Sequence, residues 1–173
     1  MKPLELHSDK EIASRVRKLG KRIRKDAGDG EILLIGILKG AAVFLADLLR
    51  SIPGDVHYEF IDVLRDVSDT ETADALEIDF LTHFSIENRN VVLLKDVVST
   101  GVIETYLIAQ LRAKKPADLK LVALIDRPDM RTVPLEVDYA LFSGAEGVFV
   151  GYGLEDQGRQ GNLRGIYAVS KRR

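Results

Sequence analysis

The chain has 173 residues, of which 46% are hydrophobic and 30% are charged, and its formal net charge is -2 at pH 7. A chain of this length can bury a core that needs no disulfide or structural metal, so we expect one domain over residues 1–173. The charge lacks the basic excess of a dedicated nucleic-acid binder, and the absence of cysteine excludes disulfides, thiolate catalysis and cysteine metal sites.

The N-terminal residues are charged where a secretory signal needs an apolar stretch. No apolar run approaches the roughly 20 residues that cross a bilayer. We therefore expect a cytoplasmic protein without a membrane partner. The three histidines lack ligand spacing, so any metal would be bound by oxygen.

The first predicted helix begins at Ser8, which forms a capping-box pattern with Glu11 three residues later. Apolar residues recur at helical spacing from Ile12 to Ile23, and Gly28 ends the pattern. The opposite face is basic, which is usual for a solvated helix, so we expect no nucleic-acid partner. Its basic residues are Arg15, Lys18, Arg22 and Lys25.

Apolar strands and helices alternate along the rest of the chain. A strand over 32–38 leads to a second helix over 41–50, and a third helix is predicted over 103–113. Near-continuous apolar strands joined by helices predict an α/β fold with a parallel sheet covered on both faces. Residues 64–77 lack a sustained apolar period and are predicted to form a long mobile loop. Further strands are predicted over 56–63, 91–94, 119–125, 137–142 and 148–150.

A polar turn between a buried strand and a helix is the most informative feature of the chain. The apolar run from residue 91 ends at Asp96, and a Ser-Thr-Gly turn precedes the next helix. This arrangement gathers backbone N–H groups around one point, the geometry that holds a phosphate. The residues whose main chain would hold it are Ser99, Thr100, Gly101, Val102 and Ile103.

Three separated segments resemble the hypoxanthine-guanine phosphoribosyltransferases of the type I phosphoribosyltransferase family. They are residues 36–40 with the helix that follows, the strand and turn at 91–101, and residues 133–139 continuing to 150–154. They occur in order, with matching spacing, over nearly the whole chain. The resemblance implies the type I phosphoribosyltransferase fold, with a core parallel sheet, a small hood formed by the chain ends, and a homodimer or homotetramer.

The resemblance also implies an activity. Family members transfer a phosphoribosyl group from phosphoribosyl pyrophosphate to a purine base with Mg²⁺, and they release pyrophosphate. The implied ligands are therefore phosphoribosyl pyrophosphate, a 6-oxopurine base or purine nucleotide, and Mg²⁺. Carboxylates, backbone amides and a lysine suit a reaction that holds two anionic groups around an oxocarbenium-like ribose.

The acidic positions of the family's motif are altered in this chain. The family's strand ends in two acidic residues that hold the ribose hydroxyls, and a third touches the purine N7 and is a candidate for proton transfer. Here these positions are Lys95, Asp96 and Ser99, so the implied catalytic residues are Asp96 and Ser99 and the activity is expected to be slowed or altered. Alternatively, Lys95 and Ser99 only cap a structural strand end. Glu104, in the next helix's first turn, would oppose a phosphate if it faced the pocket.

The resemblance places the pyrophosphate at Lys39, Gly40 and Arg65. Family members often have a non-proline cis peptide before that lysine. The alternative is that Lys39 is an ordinary solvated lysine. Glu155 replaces the family's magnesium-binding aspartate and, with Asp96, is the implied metal site.

The purine is assigned to Arg127, Val148 and Phe149. Arg127 occupies the position of a lysine that reads the purine's keto oxygen, and arginine can donate to O6 and N7 of guanine. Its alternative role is an ion pair with Asp126 or Asp129. Val148 aligns with an aromatic residue that stacks on the base; Phe149 is displaced by one position and is expected in the core, because a one-residue shift turns a strand side chain to the other face.

Two functions remain open from the sequence. One is a 6-oxopurine phosphoribosyltransferase with slow or altered activity. The other is a non-catalytic paralogue that binds a purine nucleotide as a sensor, regulator or partner subunit. An unrelated open α/β domain would require the three matching segments to be accidental.

Overall fold

The structure is a computed structural model that describes residues 3–65, 76–77, 84–144 and 147–169. Strands and helices alternate through most of this length, as the sequence pattern predicts. In chain order the elements are β1 (Leu4–His7), α1 (Asp9–Ala27), β2 (Ile32–Ile37), α2 (Ala42–Leu49), β3 (Val56–Ile61), β4 (Leu64–Arg65), β5 (Leu76–Glu77), β6 (Asn90–Val98), α3 (Val102–Ala113), β7 (Asp118–Asp126), β8 (Tyr139–Ser143), β9 (Val148–Val150) and β10 (Ile166–Val169).

A five-stranded parallel sheet in the order β3-β2-β6-β7-β8 forms the centre of the fold. Residues of α1 and α2 belong to the apolar cluster on one side of the sheet, and residues of α3 belong to the cluster on the other. All six residues of β2 are buried because helices cover both faces. The predicted α/β fold with a covered parallel sheet is confirmed.

The chain ends form a second, antiparallel sheet in the order β1-β10-β9. This sheet is the hood that the family resemblance implies, although sequence patterning by itself predicts neither β1 nor β10. The His7 ring stacks on Phe142 of β8 with ring centroids 3.6 Å apart, which joins the hood to the central sheet.

The first helix begins and ends where its sequence predicts. The Ser8 Oγ atom accepts a hydrogen bond from the Glu11 N–H at 3.3 Å, and Gly28 follows the last turn. Two residues of its basic face lie over aromatic rings of β8 and are therefore part of the packing. The Arg15 guanidinium is 4.5 Å from the Phe142 centroid, and Arg22 is similarly placed over Tyr139.

Two element boundaries differ from those expected. Strand β6 extends to Val98, beyond the predicted end at residue 94, so Lys95 and Asp96 lie inside a strand paired with β7. Within the predicted loop, β4 and β5 pair with each other; residues 66–75 lie outside the described residues. In the parts of the chain that are described, no helix is both long and apolar enough to cross a membrane.

Candidate active site

Four of the predicted site residues meet at the carboxyl edge of the central sheet. The Lys39 Nζ atom lies 2.7 Å from Glu155 Oε2. A Cβ atom on Gly40 would overlap the Asp96 carboxylate, so the loop after β2 lies directly against β6. Carboxylates from two distant segments therefore flank Lys39 and Gly40.

The Lys39–Gly40 loop has the features that the resemblance implies. The peptide bond between Leu38 and Lys39 is cis. Although the Lys39 side chain is 73% exposed, its ammonium group pairs with Glu155, so this lysine is not simply solvated. Glycine is required at position 40 because any side chain would displace Asp96.

The turn between β6 and α3 brings backbone donors together at a helix start. Gly101 is the N-cap of α3 with φ 82°, and no side chain caps the helix. The first N–H groups of a helix have no partner within the helix and carry a partial positive charge, so they favour an anion.

Residues after β7 fix the direction of these donors. Arg131 donates from Nη1 to the Ser99 carbonyl at 2.7 Å, and the Thr132 N–H donates to the Thr100 carbonyl at 3.1 Å. The C=O and N–H of a trans peptide point in opposite directions, so the N–H groups of Thr100 and Gly101 point away from residues 131–132. These N–H groups therefore face away from the segment that holds the carbonyls of the turn.

Sequence reasoning missed Arg131 and Thr132. Both bonds go to main-chain carbonyls, and such contacts leave no periodicity or motif in the sequence. Arg131 also forms an ion pair with Asp126, and its side chain is only 12% exposed.

Glu104 lies on the buried face of α3 together with Leu107 and Leu111. It is the one buried charged residue in the described part of the chain, with 4% of its surface exposed. Its place in the first turn of α3, next to the proposed phosphate position, keeps the expected opposition to a phosphate as a prediction.

The altered acidic positions form a local ion pair. Lys95 pairs with Asp96, and the Asp96 Oδ1 atom also accepts the Val97 N–H at 2.8 Å. Both side chains are about one-fifth exposed, at 18% and 21%. Ser99 follows the last residue of β6 and is half-buried. A ligand that uses Asp96 must therefore compete with Lys95.

Arg127 follows β7 and lies near the hood. Asp126 pairs with Arg131, and the described residues show no ion pair of Arg127 with Asp126 or Asp129. Its guanidinium carbon lies 5.9 Å from the Phe149 ring centroid. The Nε atom is buried without a hydrogen-bond partner among the described residues, and a buried donor of this kind calls for an acceptor.

The two hood positions assigned to the purine differ in burial. Phe149 is 6% exposed and belongs to the core, as expected. Val148, adjacent in β9, is half-buried. The Arg65 side chain lies outside what the structure describes.

Asp96 and Glu155 are oxygen donors of the type that a magnesium ion arriving with a substrate would use. The described residues contain no group of three or more histidine or acidic side chains able to hold a metal. Mg²⁺ is usually bound through one or two carboxylates together with substrate phosphates and water. Two carboxylates beside Lys39 and Gly40 match that donor set.

Comparison with known proteins agrees with this architecture. The family model described as phosphoribosyl transferase domain matches residues 4–157. The hypoxanthine-guanine phosphoribosyltransferase of Bacillus subtilis (strain 168) is 32% identical over 158 residues, which cover 91% of this chain and 88% of that protein. The chain belongs to the phosphoribosyltransferase family.

Solved structures of family members have the same fold. A hypoxanthine-guanine phosphoribosyltransferase from Bacillus anthracis superposes with a TM-score of 0.86 at 32% identity, covering 95% of each chain. A hypoxanthine phosphoribosyltransferase from Staphylococcus aureus gives 0.88 at 29% identity, covering 96% of this chain and 90% of that one.

Proposed function

We propose that this protein binds phosphoribosyl pyrophosphate and a 6-oxopurine and transfers the phosphoribosyl group to the base. The proposal is supported mainly by one observation: two carboxylates lie beside the Lys39–Gly40 loop, near the backbone N–H groups at the start of α3. The carboxylates belong to Asp96 and Glu155. Family membership alone gives the fold, whereas this arrangement offers donors and carboxylates to a sugar that carries a phosphate and a pyrophosphate.

Each part of the substrate has a matching group. The 5′-phosphate would bind the N–H groups of residues 99–103, and the pyrophosphate would bind Lys39 and the Gly40 main chain. Asp96 and Glu155 would hold Mg²⁺, which supplies charge neutralisation at the pyrophosphate when bound. Arg127, whose buried Nε atom has no partner among the described residues, would donate to the purine keto oxygen.

The reaction exchanges one bond at the ribose. A purine ring nitrogen bonds to C1 of the ribose while the C1–oxygen bond to pyrophosphate breaks, and the pyrophosphate leaves with the electron pair. Lys39 stabilises the charge on the leaving group. The purine also loses a ring proton, and Ser99 has no carboxylate to accept it, so the proton passes to solvent and the step is slow.

A second candidate is a protein that binds purine nucleotides without turnover. The Lys95–Asp96 ion pair favours it, since this pair occupies the carboxylate that would otherwise meet the ribose. The phosphate turn and Arg127 remain available in that case. Such a protein would act as a sensor, a regulator or a partner subunit.

A paired measurement distinguishes the two candidates. GMP, IMP and phosphoribosyl pyrophosphate with Mg²⁺ are titrated into the protein by calorimetry, and pyrophosphate release is then assayed with hypoxanthine and guanine. Binding with turnover supports the transferase. Binding without turnover selects the nucleotide-binding protein, and no binding of any ligand contradicts both.

A homodimer or homotetramer in the cytoplasm is part of the same proposal. Exposed apolar side chains on α3 and on the edge strand β3 support it: Val102 is 48% exposed, Tyr106 41% and Tyr58 52%. Apolar surface of this kind is commonly covered in an oligomer. Light scattering of the purified protein tests the assembly, and a monomer at all concentrations would contradict it.

A further inference from the structure

The segment that carries Glu155 is closely attached to the loop and helix that follow β2. A Cβ atom on Gly153 would lie 3.0 Å from the Gly40 carbonyl oxygen and 3.3 Å from Val43 of α2. On the other side of the segment, a Cβ atom on Gly161 would lie 2.8 Å from Glu155 Cγ. The position of Glu155 therefore depends on how residues 151–163 sit against α2.

Tyr152 occupies an unusual place in this segment. Its φ angle is 53°, between Gly151 at 91° and Gly153 at 93°, and the left-handed conformation is unfavourable for a bulky side chain. The ring is nevertheless 7% exposed, and the Tyr152 N–H donates to the Leu163 carbonyl at 2.8 Å. The backbone here presents the tyrosine inward.

The phenol makes a specific bond to α2. The Tyr152 hydroxyl donates to Asp47 Oδ2 at 2.7 Å, and the other Asp47 oxygen pairs with Arg50. Burial, together with the bond to Asp47, raises the pKa of the Tyr152 phenol well above its ordinary value, so the hydroxyl remains a donor at any physiological pH. A phenylalanine would fill the same space without this bond.

We infer that Tyr152 and Asp47 are positioning residues whose hydrogen bond holds Glu155 beside Lys39 and thereby sets the affinity for the magnesium-bound pyrophosphate end of the substrate. The inference rests on the proposed function. This inference distinguishes the two ends of the site, because the Tyr152–Asp47 hydrogen bond does not involve the 99–103 turn or Arg127. Loss of the Tyr152 hydroxyl should therefore weaken the binding of phosphoribosyl pyrophosphate and leave the binding of GMP nearly unchanged.

The test compares two ligands by calorimetry. For Tyr152→Phe we expect the dissociation constant of phosphoribosyl pyrophosphate with Mg²⁺ to rise about tenfold, as for a lost hydrogen bond to a charged group, while that of GMP changes by less than about twofold. Hydrogen exchange should become faster in residues 153–163. Asp47→Asn keeps an acceptor for the hydroxyl and should retain most of the affinity, whereas Asp47→Ala should behave like Tyr152→Phe.

Tyr139→Phe is the matched control. The Tyr139 hydroxyl also bonds to an aspartate, Asp26, but at the amino end of β8 and away from the site. This variant should leave both affinities unchanged. If Tyr152→Phe weakens the binding of GMP and of phosphoribosyl pyrophosphate equally, or weakens neither, this inference is overturned and the proposed function is not. Failure of the wild-type protein to bind either ligand would overturn the proposed function as well.

Discussion

Ser99 presents a hydroxyl where the proposed reaction needs a group that accepts the purine proton. A hydroxyl can hydrogen-bond to a ring nitrogen, but a neutral hydroxyl is too weakly basic to take up the proton near pH 7. Lys95 adds to the effect, because its ammonium group occupies the Asp96 carboxylate. In the proposed reaction the side chains of these two residues limit the chemistry, whereas the phosphate is bound by main-chain N–H groups that need neither side chain.

The double substitution Ser99→Asp with Lys95→Glu should raise turnover. A positioned general base typically contributes 10²–10⁴-fold, so we expect an increase of at least about 10²-fold in pyrophosphate release with hypoxanthine or guanine. Ser99→Asn with Lys95→Gln is the control, since these amides have similar size but no charge. Equal rates for the acidic and amide variants would show that these positions do not limit the reaction.

Arg127→Met should weaken binding of GMP by about tenfold or more, because one or two hydrogen bonds from a charged donor are lost. It should also reduce the preference for GMP over AMP, whose 6-amino group offers no keto acceptor. Competitive titration of the two nucleotides measures both effects. Arg112→Met, on the exposed last turn of α3, is the control and should change neither. Undiminished preference for GMP in the Arg127 variant would contradict the assignment.

At the scale of elements, three segments together form the turn over residues 99–103 that we propose binds the phosphate. Strand β6 delivers it, α3 contributes the first-turn N–H groups, and residues 131–132 hold its carbonyls. Gly101 lies where all three meet, with φ 82°, and a Cβ atom there would be 2.9 Å from Arg131 Cδ and from Leu135 Cδ2. The turn has no room for a side chain at this point.

Gly101→Ala should therefore reduce GMP affinity by at least about tenfold, because the left-handed conformation disfavours alanine and the new methyl group displaces the arginine that orients the turn. Gly28→Ala provides a matched control: its φ is 58°, but nothing lies within 4 Å of the added methyl group. The control should lose about 1 kcal/mol of stability and keep its GMP affinity. If both variants bind GMP like the wild type, the phosphate lies elsewhere.

The sequence predicts the positions and boundaries of some elements better than those of others. Strand β2 and the start of α1 are predictable because burial on both faces and a capping serine produce local patterns. The sequence predicts an end of β6 that is too early, because Lys95 and Asp96 resemble the start of a loop although pairing with β7 continues through them. The role of Arg131 was not predictable, because hydrogen bonds to carbonyls are set by tertiary position.

At the scale of the whole molecule, the hood joins the two ends of the chain. Strands β1 and β10 have four residues each, and their register places Glu5 opposite Tyr167. Strands this short show no clear alternation of apolar and polar residues. The hood is therefore predicted by the family resemblance and not by the sequence periodicity. The same sheet includes β9, which precedes the segment that carries Glu155. Hood and site are therefore parts of one connected structure.

Ligand binding should stabilise this connected structure as a unit. At a ligand concentration of about 100 times the dissociation constant, the free energy of unfolding rises by about 2.7 kcal/mol, which for a chain of this size raises the Tm by roughly 5–10 °C. Removal of divalent metal with EDTA should abolish most of the shift caused by phosphoribosyl pyrophosphate and preserve the shift caused by GMP. Metal-independent shifts for both ligands would argue against roles for Asp96 and Glu155 in holding Mg²⁺.

The binding of a nucleotide phosphate by the main chain after β6 is the claim on which the other assignments depend. A crystal structure with bound GMP tests it most directly. We predict phosphate oxygens within about 2.7–3.2 Å of the backbone nitrogens in residues 99–103, with the base near Arg127. A GMP phosphate bound elsewhere, with this turn free or closed by a side chain, would contradict the account.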